Sequence, residues 1–131
     1  MPNILAIDDE ITCLEIISFS LASRGYEVFT ASSGQEALEF LNSGETKIDL
    51  ILLDMMMPQS NGLDTLEKIR QIEANRFTPV IFQTGTSHYA PINETQEQGN
   101  IDYIIRKPYK RDDLIKAVNI ALAERKEPCP A

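Results

Sequence analysis

Short apolar runs alternate along the chain with stretches in which apolar residues recur every three or four positions. Asn3 to Ile7 is a strand-like run, cut off by Asp8, Asp9 and Glu10. Ile11, Leu14, Ile17 and Leu21 follow at helical spacing, and Arg24-Gly25 supplies a basic last turn with a glycine stop. Tyr26 to Ala31, rich in β-branched and aromatic residues, predicts a second strand. Ser32-Ser33-Gly34 is a turn and helix start; Gln35 to Leu41 predicts a short helix with Ala37, Leu38 and Leu41 inward, ended by Ser43-Gly44. Asp49 to Leu53 is the most apolar run, too short for a helix of its own, and predicts a central strand buried on both faces that ends at Asp54. A loop with Met57-Pro58 and Asn61-Gly62 leads into Leu63, Leu66, Ile69 and Ile72, the buried stripe of a third helix. Pro79 to Gln83 predicts a fourth strand, ending at Thr84-Gly85. Residues 86–100 are polar and lack a firm apolar stripe; Pro91 marks a helix start and Gly99 a stop. Asp102 to Arg106 predicts a fifth strand, ending at Lys107-Pro108, and Asp112 to Arg125 a final helix with Leu114, Val118 and Leu122 inward.

Five strands alternating with five helices through short loops predict an α/β fold, a parallel sheet covered on both faces with right-handed crossovers. The length of 131 residues suits one domain. It is expected over residues 1–125, followed by a frayed tail over 126–131. Twenty acidic against twelve basic side chains give a net charge of −8, which repels phosphate backbones and anionic membranes, so direct nucleic-acid binding is not expected. No apolar run approaches the ~18–20 residues of a spanning helix, and no basic segment followed by a long apolar stretch opens the chain as a signal peptide would. Cys13 and Cys129 are far apart, and neither has a partner cysteine or His88 at ligand spacing. That argues against structural zinc and a disulfide framework, and for a reducing cytoplasm.

Ligands of open parallel α/β sheets bind outside the carboxyl ends of the strands. Those ends carry Asp8-Asp9-Glu10, Asp54, Thr84-Gly85 and Lys107-Pro108. Singly, each has a plain structural use: an aspartate capping a helix, a turn aspartate, a strand threonine, a solvated lysine. On one rim they form a combination. Three carboxylates, Asp8, Asp9 and Asp54, repel one another, and a hard divalent cation with retained waters, Mg²⁺, resolves the repulsion. Lys107 offsets more of the charge, and the Thr84 hydroxyl with Gly85 beside it leaves room for phosphoryl oxygens. Such a site suits phosphoryl transfer, with Asp54 as a nucleophile able to form an acyl phosphate.

Ile4-Leu5-Ala6-Ile7-Asp8-Asp9-Glu10, Leu53-Asp54-Met55-Met56-Met57-Pro58 with Asn61-Gly62, Thr84-Gly85 and Lys107-Pro108-Tyr109 together closely resemble the receiver domain of bacterial two-component response regulators. The resemblance runs from residue 3 to about 125. It implies a flavodoxin-like three-layer sandwich with strand order 2-1-3-4-5. It implies that Asp54 accepts a phosphoryl group from a histidine of a sensor kinase or phosphotransfer protein. Asp9 and Asp54 would bind Mg²⁺ directly, Asp8 largely through water, and Met56 through its backbone carbonyl. Lys107 would pair with the carboxylate and then the phosphoryl oxygen, and Thr84 would shift inward onto it. The Lys107-Pro108 bond is usually cis in such domains. The switch aromatic usually stands three residues before the lysine. Here Ile104 has that place and Tyr103 lies one further back, where a one-residue insertion or bulge near strand five would make it the switch residue.

The implied activity is a switch that catalyses only its own phosphorylation and dephosphorylation. It remodels the surface of segment 86–100, strand five and the final helix for an output partner the sequence does not name, a phosphorylation-dependent dimer among the possibilities. Three alternatives compete. A docking receiver that is never phosphorylated would need none of the acceptor residues. A haloacid-dehalogenase-like aspartyl phosphatase needs an aspartate two residues after the nucleophile, where Met56 stands. A flavin module needs a hydroxyl- and glycine-rich loop after strand one, where Asp8-Asp9-Glu10 would repel the phosphate.

Overall fold

The computed structural model describes residues 2–57, 60–84, 103–106 and 110–123. In chain order the main elements are β1 (Asn3–Ile7), α1 (Ile11–Ala22), β2 (Glu27–Ala31), α2 (Gly34–Ser43), β3 (Leu50–Asp54), α3 (Gly62–Gln71), β4 (Val80–Thr84), β5 (Tyr103–Arg106) and α4 (Arg111–Ala123). The five strands form one sheet in the order β2-β1-β3-β4-β5, every pair parallel. This is the sheet order expected for the flavodoxin-like fold. Four α-helices lie among the described residues; the helix expected within 86–100 and the tail 126–131 lie outside them. No described helix is long and apolar enough to cross a membrane.

Strand alternation divides the core into two layers. Leu5, Ile7, Ile51, Leu53, Val80 and Phe82 pack with Ala37, Leu41, Leu66 and Ile69 of α2 and α3. Ile4, Ala6, Leu50, Leu52, Ile81 and Ile105 pack with Leu14, Ile17 and Leu21 of α1 and Leu114, Ile115 and Val118 of α4. All five residues of β3 are buried, as a strand covered on both faces requires. Asp54 is the last residue of β3 rather than the first of a loop, because Met55 N–H bonds the Gln83 carbonyl at 3.0 Å and prolongs the ladder by one step.

The helix termini follow local chemistry. Ser33 caps α2, its hydroxyl accepting from the Glu36 N–H at 3.1 Å, and Ser32 donates to the Glu36 carboxylate at 3.0 Å. Gly44 ends the helix at φ 69°, a left-handed conformation that a side chain would strain. Helix α1 departs from the expected stripe. Of the four stripe residues Leu14, Ile17 and Leu21 pack on the sheet, whereas Ile11 at the start of the helix is 68% exposed.

Candidate functional site

Parallel strands with right-handed crossovers bring their carboxyl ends to one edge, and β1 and β3 are direct neighbours there, with Ile7 beside Leu53. One step further along lie Asp8 and Asp54. The carboxylates of Asp8, Asp9 and Asp54 each place an oxygen within 4.8 Å of the others. Asp8 is fully buried, Asp54 is 5% exposed, and Asp9 faces solvent. Asp8 is fixed twice: its N–H bonds the Ala31 carbonyl at 3.1 Å, and its Oδ1 accepts from the Glu10 N–H at 2.9 Å. That second bond is a local turn and not an N-cap. The N-cap of α1 is Glu10, whose side chain makes no capping bond. The structural use open to Asp8 or Asp9 from sequence alone, capping the first helix, is therefore not the one they have.

The loop after β3 is also built around Asp54. A short antiparallel ribbon pairs Met56 with Asn61 and Met57 with Ser60, returning the chain to the start of α3. Gly62 lands there on the β3 backbone. Its N–H bonds the Met55 carbonyl at 3.0 Å, and a Cβ at this position would lie 2.8 Å from the Met55 Cα and 3.0 Å from the Asp54 carbonyl oxygen. The sequence pattern places Asn61-Gly62 in a loop and in the receiver-like motif but does not show this close approach; the local signal is a glycine at the entry of a helix, where other small polar residues are preferred. Gly62→Ala is expected to displace the Asp54–Met55 peptide, destabilise the fold by about 1–3 kcal/mol and slow chemistry at Asp54. Chemical denaturation and acyl-phosphate uptake of the same variant check it.

Thr84 ends β4 in register with Arg106 of β5. The Met56 backbone lies in the ribbon beside Asp54. Lys107, Pro108 and the peptide bond between them fall outside the described residues. Strand β5 pairs with β4 step by step from Tyr103 to Arg106, with no bulge in that stretch, and Ile104 packs on the α2–α3 face beside Phe82.

Three clustered carboxylates, two of them buried, carry a concentrated negative charge. Two unit charges 4.8 Å apart at an effective dielectric of ~20 repel by about 3.5 kcal/mol. Hard oxygen donors in this number, with one open to solvent, fit Mg²⁺, which binds through one or two carboxylates and keeps several waters.

A sequence profile described as the response regulator receiver domain matches residues 4–119. The chain belongs to this family. The receiver is 37% identical over 119 residues to the transcriptional regulatory protein DltR of Streptococcus agalactiae, covering 90% of this chain and 50% of DltR. It thus spans about half the length of that relative. Among solved structures, the chemotaxis protein CheY4 of Vibrio cholerae superposes with a TM-score of 0.82 at 29% identity, covering 92% of the receiver and 98% of CheY4. The response regulator TrrA of Thermotoga maritima, solved in complex with Mg(2+)-BeF, superposes with a TM-score of 0.77 at 32% identity, covering 92% of the receiver and 98% of TrrA.

Proposed function

We propose that this receiver takes a phosphoryl group on Asp54 from a phosphohistidine of a sensor kinase or phosphotransfer protein. The observation that carries the reading is the buried Asp8–Asp54 pair, with Asp9 beside it, at the carboxyl edge of the two central strands. The likeness to TrrA supports it, since beryllofluoride has the tetrahedral shape of a phosphoryl group.

Asp8, Asp9 and Asp54 would hold Mg²⁺, with the Met56 carbonyl as a further oxygen. When bound, the ion supplies the positive charge that lets an anionic phosphoryl group approach a carboxylate. A lone pair on an Asp54 oxygen forms the bond to phosphorus, and the donor leaves with the electrons of the bond that breaks. Burial of Asp54 shields the resulting acyl phosphate from bulk water. Thr84 and Lys107 are assigned to the phosphoryl oxygens, and the receiver catalyses only its own phosphorylation and dephosphorylation. Ile104 or Tyr103 on β5 would couple that event to the output surface in a reducing cytoplasm. The output partner is left open, a second copy of the chain included.

Incubation with Mg²⁺ and acetyl phosphate, followed by intact mass, tests the reading. The wild type is expected to gain one phosphoryl group and Asp54→Asn none. A folded, Mg²⁺-binding wild type that gains none would point to a docking receiver instead.

A further inference from the structure

A groove lies where the first turns of α1 and α2 come together over the end of β2. The two helices cover opposite faces of the sheet, and β2 is its border strand, paired with β1 alone. The groove holds about 430 Å³, within the ~300–1,000 Å³ of ligand-binding clefts. Ile11 and Leu14 of α1 line it with apolar surface, Thr30 and Ser32 with hydroxyls, and Glu15 and Glu36 with one carboxylate from each helix. The Ser32 hydroxyl donates to the Glu36 carboxylate at 3.0 Å and steadies it there. No lysine, arginine or histidine lines the groove. A single exposed isoleucine such as Ile11 is ordinary on a surface; here it borders a groove whose charges are all negative. Among the described residues, Glu15 and Glu36 belong to neither group of ligand atoms close enough to hold a metal ion. Apolar surface beside two separate carboxylates suits instead a cation carried on an aliphatic stem, as lysine and arginine side chains are. The border strand alongside presents outward backbone N–H and C=O groups, which an extended segment can pair with.

We propose that this groove docks a basic, extended peptide segment of a partner protein. Aliphatic groups of the segment cover Ile11 and Leu14, and its guanidinium or ammonium groups pair with Glu15 and Glu36. The net charge of −8 draws such a segment toward the receiver. The groove takes no residue from β5 or α4, and docking there requires nothing of Asp54.

The probe is a capped hexapeptide of alternating leucine and arginine, added to the ¹⁵N-labelled receiver while amide shifts are recorded. A matching peptide with citrulline in place of arginine keeps the shape and removes the charge. Shifts are expected to concentrate on residues 11–18 and 30–36. Affinity is expected to fall about tenfold with the citrulline peptide, and about tenfold in the double variant Glu15→Gln, Glu36→Gln, as the loss of two exposed ion pairs requires. It is expected to fall as salt rises, and severalfold in Ile11→Ser, which removes apolar contact. Asp54→Asn is expected to bind within twofold of wild type. Unfolding midpoints are measured in parallel, and where a variant's midpoint falls, the citrulline peptide on the wild type decides. No shifts at millimolar peptide, shifts scattered over the acidic surface, or a citrulline peptide that binds within twofold of the arginine one overturns the proposal. A dimer that forms without peptide and that Ile11→Ser dissociates would give the groove to a second copy of the chain, and equal affinity for arginine amide alone would make it a site for a free cation; either result also overturns it.

Discussion

Asp8→Asn is expected to make the metal-free receiver more stable while weakening Mg²⁺ binding at least tenfold. The two effects share one cause. Asp8 is buried within 4.8 Å of the Asp54 and Asp9 oxygens, so folding brings three like charges together. Removing one relieves a repulsion of about 3.5 kcal/mol per pair at an effective dielectric of ~20, of which screening by the rim leaves roughly 1–3 kcal/mol as net stabilisation. Asparagine keeps the acceptor oxygen that binds the Glu10 N–H, so the turn after β1 survives. The same substitution removes a hard anionic donor from the cation site. Urea unfolding with and without Mg²⁺ measures both effects. Wild type should gain stability steeply with Mg²⁺ and Asp8→Asn should gain little. A variant less stable than wild type in chelator would sink the electrostatic account.

Phe82→Ala is expected to cost about 3–5 kcal/mol, the range for truncating a fully buried aromatic. Phe82 is fully buried and packs in the layer under α2 and α3, between Leu53 of β3 and Ile104 of β5 in the sheet register. A cavity there undermines the strand that carries Gln83 and Thr84 to the rim. Thermal unfolding of the variant measures the loss. A cost below about 1 kcal/mol would mean that α3 collapses onto the gap and that this layer is softer than its burial indicates.

Much of the fold is legible because β1, β3 and the start of β4 are short apolar runs separated by helical spacing, the pattern of a parallel sheet covered on both faces. Leu50 to Leu53 show it most plainly. Boundaries were less legible. The apolar pattern opens the third strand at Asp49 and stops it before Asp54, whereas β3 runs from Leu50 through Asp54, because the ladder continues to the Met55 N–H. Ile11 illustrates the opposite failure: helical spacing marks a face, but an apolar residue on that face can extend beyond the sheet edge it would cover. At the site, Asp8, Asp9 and Asp54 could be named from strand ends alone. The part played by Gly62 could not, because it lies in what stands across from it. A Cβ there would lie 2.8 Å from the Met55 Cα.

The strand order β2-β1-β3-β4-β5 also has a mechanical meaning. All three carboxylates ride on β1 and β3 or the turn directly after β1, and β1 is flanked on both sides by strands from the first half of the chain. The βαβαβ half through residue 54 therefore carries the whole charge cluster, while β4 and β5 are added along one border. Local opening free energies differ across a fold and tend to fall toward its borders. By that rule the β5 border is expected to exchange its amide protons faster than β1 and β3, which carry the carboxylates. In the sheet register β5 is linked to β3 through β4, and the β4 residue that pairs with Asp54 is Gln83.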